Sequence, residues 1–64
     1  MTTNADLYMK CLQVEALVRI MVMKGIDSNE ALVAAIDASF CPETDEEQEL
    51  YSEAIIYAKR GVLN

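Results

Sequence analysis

Apolar residues recur at spacings of three and four along nearly the whole chain, the rhythm of amphipathic helices rather than the alternation of strands. Two stretches break it, Lys24-Gly25-Ile26-Asp27 and Phe40-Cys41-Pro42-Glu43. The pattern predicts an all-α fold, three helices at about 4–24, 28–40 and 44–60 in a small bundle, as one domain over 1–64.

The ends of these segments carry stop and start signals. Gly25 can take the left-handed conformation that closes a helix, and Lys24 just before it suits the negative end of the dipole. The second helix starts after Asp27 or Ser28, Asp27 and Glu30 having the spacing of a capping box, and must end before Pro42. Thr44 and Glu47 form a second box, with Asp45, Glu46 and Glu47 placing negative charge in the first turn. Lys59 and Arg60 mark the far end, where Gly61 is expected to stop the helix.

A rotation of about 100° per residue sorts the first helix into two apolar faces. Leu7, Cys11, Val14, Val18, Met21 and Val22 gather on one, and Met9, Leu12, Ala16, Ile20 and Met23 on the other. Between them lie two polar strips, one with Glu15 and Arg19 in the favourable i,i+4 order, the other with Asp6, Lys10, Gln13 and Lys24. The other helices have one bulky stripe each. In the second it is Leu32, Val33, Ile36 and Phe40, backed by alanines. In the third it is Leu50, Tyr51, Ala54, Ile55, Tyr57 and Ala58, with Ile56 pointing away.

Two single-striped helices can cover one face of the first helix, which leaves the other bare. The expected solution is a homodimer in which Met9, Leu12, Ala16, Ile20 and Met23 form the self-association face. The alternatives are a monomer that wraps both helices around the first, or an apolar patch kept for a host protein.

Composition then removes whole classes of function. The chain has 64 residues and no histidine, so the usual base near neutral pH and the commonest zinc ligand are both missing. Cys11 and Cys41 are too few for a zinc site; they read as reduced thiols, one in the core and one in a turn, although an 11–41 bridge would suit a secreted chain. Ser28, Ser39 and Ser52 have no imidazole to activate them. No catalytic set, metal site or cofactor is expected, and the protein reads as a non-enzyme. No apolar run approaches the roughly 20 residues of a membrane span, and the first residues lack a signal-type pattern, so the expected location is the cytoplasm.

Charge is unevenly spread. Residues 1–26 hold three basic and two acidic side chains; residues 27–64 hold two basic and nine acidic, for a net charge of −6 overall. Direct nucleic-acid binding is therefore not expected. A helix-turn-helix of the last two helices fails for the same reason, since Thr44-Asp45-Glu46-Glu47 would meet phosphate. Asp45, Glu46, Glu49 and Glu53 share the face of the third helix opposite its apolar stripe. That face is either solvated or a surface for a basic partner, including one whose nucleic-acid site it would occupy as a decoy. Met9, Met21 and Met23 all fall on the first helix, where methionine serves irregular cores and adaptable interfaces alike. Tyr8 lies on the Glu15/Arg19 side, placed to line an interface, and Tyr51 and Tyr57 read as buried rings with hydroxyls at the rim.

In this format, with about sixty residues, three capped helices, no catalytic set and a double-faced first helix, the chain resembles the small all-helical acidic accessory proteins of lambda-like temperate phages, encoded between the exonuclease and excisionase genes. The resemblance implies a regulator or inhibitor of host proteins in lytic development. The segment Thr44-Asp45-Glu46-Glu47-Gln48-Glu49-Leu50-Tyr51 is also similar to short helical modulators of enteric nucleoid proteins, a family that the first helix does not match. A structural subunit of a larger assembly is the remaining class.

Overall fold

The structure, a computed structural model, describes residues 4–63; the expectation about a leader segment rests partly on Met1, Thr2 and Thr3, which lie outside them. Three helices form: α1 (Asn4–Met23), α2 (Asn29–Phe40) and α3 (Asp45–Leu63). No strand occurs among the described residues. Short links turn the chain back twice, so α1 and α3 point the same way with α2 reversed. Two side-chain bonds hold α2 along α3: Lys59 Nζ donates to Asn29 Oδ1 at 3.1 Å, and Gln48 Nε2 donates to Asp37 Oδ2 at 3.3 Å.

α1 closes as predicted at Gly25, whose φ of +94° only glycine adopts cheaply. The Ile26 amide donates to the Met21 carbonyl and the Gly25 amide to the Val22 carbonyl, both at 2.9 Å, the paired bonds of a Schellman closure. Pro42 ends α2 through Cys41, which takes the left-handed conformation with φ 46°. Thr44 caps α3: its Oγ1 accepts the Glu47 amide at 3.1 Å, while Glu47 Oε2 accepts the Glu43 amide at 3.5 Å. The reciprocal arm thus reaches one residue further back than a standard box.

Three expectations need correction. Of the two residues offered as the start of α2, Ser28 is the cap, in place of the Asp27–Glu30 box; Ser28 Oγ accepts the Ala31 amide, and the extended backbone at Ser28 places its side chain over that first turn. Gly61 does not stop α3, which runs on to Leu63. The reason is Val62, which extends the buried line Tyr51, Ile55, Ala58 by one more step and packs against the core. That contact offsets the roughly 1 kcal/mol a helical glycine costs. Finally, Leu50 and Tyr57 are not core residues but lie exposed beside Ile56.

The core itself is narrow. Val14, Val18 and Val22 from α1 meet Tyr51, Ala54, Ile55 and Ala58 from α3, with Leu32 and Ile36 of α2 closing it. At about 100° per residue Tyr51, Ala54, Ile55 and Ala58 gather around one direction of α3, and Leu50 and Tyr57 lie roughly 90–110° round the helix from it. Cys11, Leu7, Met21 and Phe40 are half-buried around this core.

Candidate interaction surfaces

α1 buries one of its two apolar faces and leaves the other in water. Met9, Leu12, Ile20 and Met23 are 54%, 42%, 51% and 77% exposed, and Ala16 between them is exposed too. The five residues predicted as the self-association face therefore stand together on one side of one helix, opposite Val14 and Val18. The monomer that wraps itself around α1 is not the structure found, because both partners of α1 pack on the same side of it. Arg19 Nη2 lies 3.4 Å from Glu15 Oε1 along one border of the stripe, with exposed Tyr8 on the same border.

The acidic surface is equally well formed. Asp45, Glu46, Glu49 and Glu53 are all exposed on the outer side of α3. Among the described residues none of the four has an ion-pair partner. Glu46, Glu49 and Glu53 surround a shallow open depression that has Leu50 in its wall. Asp45 is not part of that depression. Leu50, which sequence reasoning assigned to the core, is thus an apolar element of the acidic face.

The two thiols are free and differ in setting. Cys11 packs beside the core; burial pushes its thiol pKa up, and the negative charge of Glu15 adds to the rise. Cys41 is exposed at the α2 cap, where its Sγ lies 3.8 Å from the Ala38 carbonyl. The buried hydroxyl of Tyr51 has no hydrogen-bond partner among the described residues. Burial first, then Glu47 and Cys11, raise its pKa above the ordinary tyrosine value. A hydroxyl sealed in this way is a cost in stability rather than a reactive group.

Among the described residues no cluster of His, Cys, Asp or Glu could hold a metal ion, and no helix is long and apolar enough to cross a membrane. Compared with family models, curated proteins and solved structures, the chain matches none.

Proposed function

We propose that this chain is a non-enzymatic helical interaction module, a homodimeric regulator or inhibitor of host proteins acting in the cytoplasm during phage lytic development. The observation that carries the dimer is the bare stripe on α1. Fully burying a leucine, isoleucine or methionine contributes about 1.5–3 kcal/mol, so four such residues per chain left half in water forgo several kcal/mol. A small domain has only about 5–15 kcal/mol in total, and a second copy would recover part of it on both chains at once. The phage setting and the host target rest on the resemblance in size, helix number and charge described above.

Light scattering of the wild-type protein at high micromolar concentration should give twice the chain mass, and Ile20→Glu should give a monomer that keeps its helical spectrum. A wild type that scatters as a monomer retires the dimer.

A second reading is favoured by four exposed carboxylates without cations, three of which surround a depression that includes Leu50. Such a surface suits a basic partner, and the protein would act as an acidic decoy on its nucleic-acid site. Affinity capture from the host at low and high salt separates the two readings, because only the decoy should lose its partner steeply as salt rises.

A further inference from the structure

The exposed stripe of α1 has an internal symmetry. Met9 and Met23 lie seven residues either side of Ala16, and Leu12 and Ile20 lie four either side. All five are on one exposed face of a single uninterrupted helix. We infer that two copies pair through α1 in antiparallel register, with the two-fold axis passing Ala16, so that Met9 packs on the partner's Met23 and Leu12 on the partner's Ile20. This inference rests on the dimer proposed above and specifies its geometry.

Size and charge both support that register. At the axis the smallest side chain of the stripe faces its own copy, which lets the helices approach closely. Branched and γ-branched residues face each other one turn out, and the adaptable methionines close the ends, where crossing helices diverge. An antiparallel two-fold brings each flank of the helix against the same flank of its partner. The border with Glu15 and Arg19 then meets itself reversed, and the offset sets Glu15 beside the partner's Arg19 and Arg19 beside the partner's Glu15. The existing Glu15–Arg19 pair, 3.4 Å apart, becomes half of a four-membered ring of alternating charge. The other border places Lys24 between Asp6 of the partner subunit and Lys10 of the partner subunit, one charge of each sign, and decides nothing.

A parallel pair sets opposite flanks together. Arg19 would then face the flank that carries Lys24, cation against cation, while Glu15 would face the uncharged Gln13 and Leu17 of the other chain. The helix dipoles would also align rather than oppose. α2 and α3 sit on the far side of α1 and obstruct neither arrangement, so the stripe and its borders set the choice.

Disulfide trapping tests the register. Leu12→Cys and Ile20→Cys are made separately in a Cys11→Ala, Cys41→Ser background, with helical content checked for each chain. After mixing and oxidation, the mixed disulfide should exceed either self-disulfide by roughly ten-fold, because identical positions lie about 12 Å apart along the helices, beyond disulfide reach. Self-disulfides at both positions from a wild-type-like dimer would overturn the antiparallel register while the dimer stands. A wild type monomeric in light scattering would overturn both. Should the cysteine-free background not fold, the wild-type chain serves: a mixture of light and nitrogen-15 chains treated with a short lysine cross-linker should join Lys10 of one isotope to Lys24 of the other. Lys10 joined to Lys10 across isotopes would overturn the register.

Discussion

The rings of Phe40 and Tyr51 meet with centroids 5.9 Å apart and planes inclined at 54°, joining the last residue of α2 to the core face of α3. The contact fixes the ring of Tyr51 but not its hydroxyl, which is buried without a partner. Tyr51→Phe keeps the ring pair and removes the stranded group, so it should stabilise the fold by about 1 kcal/mol. For a domain of this size that is roughly 4–8 °C in Tm, readable by circular dichroism. A fall in Tm would mean that the hydroxyl has a partner after all.

The same phenol makes alkaline pH destabilising. Its pKa is raised in the folded state, by burial first and by Glu47 and Cys11 next. The contribution to stability is therefore complete below the unfolded value of about 10 and is lost as pH climbs through the folded value. Absorbance at the phenolate band should show one tyrosine ionising late in the native protein, and that late step should vanish in Tyr51→Phe. Urea midpoints should fall above about pH 10 in the wild type more than in the variant.

The two glycines should respond with opposite signs. At Gly25 no atom would obstruct a Cβ, yet the backbone sits at φ +94°, so Gly25→Ala should cost about 1–2 kcal/mol through strain alone. Gly61 is helical and also open around its Cβ, so Gly61→Ala should stabilise α3 by up to about 1 kcal/mol. Thermal melts of the two variants check this, and two shifts of the same sign would contradict it.

Those glycines also mark how far the sequence could be read. Gly25 was legible because the helical pattern stops there as well as the cap residue appearing. At Gly61 the basic pair before it imitates a helix end, and the contrary signal is one residue, Val62, whose value depends on where α1 lies. Ser28 and Asp27 are both good caps, and only the backbone at the turn chooses between them. The two-faced nature of α1 was legible in full, since a rotation of 100° per residue needs no knowledge of neighbours. The exposure of Leu50 and Tyr57 was not, because both lie at the edge of the apolar stripe, roughly 90–110° from its buried centre, and which edge is covered depends on where α1 and α2 sit. The Lys59–Asn29 bond joins residues thirty apart, so no local pattern announces it.

The thiols should separate cleanly under alkylation. Cys41 is exposed, whereas Cys11 is packed beside the core with its pKa pushed up by burial and by Glu15, which lowers its thiolate fraction. Iodoacetamide at mildly alkaline pH should add one group rapidly, at Cys41, and a second only slowly. Unfolding in urea should make the two rates similar. Intact-mass spectra over time follow both steps, and equal native rates would show that the start of α1 opens freely.

The acidic face should weaken the fold that carries it. Asp45, Glu49 and Glu53 follow one another at i,i+4, and each such like-charge pair destabilises a helix by a few tenths of a kcal/mol. No cation among the described residues relieves them. Raising salt from about 10 mM to about 0.5 M should therefore raise Tm, because the screening length falls from roughly 30 Å to a few ångströms. Glu49→Lys should do more, turning two repulsive i,i+4 pairs into two attractive ones and stabilising α3 by about 0.5–1.5 kcal/mol. The Glu49→Lys, Glu53→Lys double variant should in turn lose any basic partner while remaining folded. Self-association through α1 should survive that double change, since the acidic face and the apolar stripe lie on different helices. A variant that loses both partner and dimer would show that the two surfaces act as one, and a variant that keeps its partner would remove the acidic face from the binding account altogether.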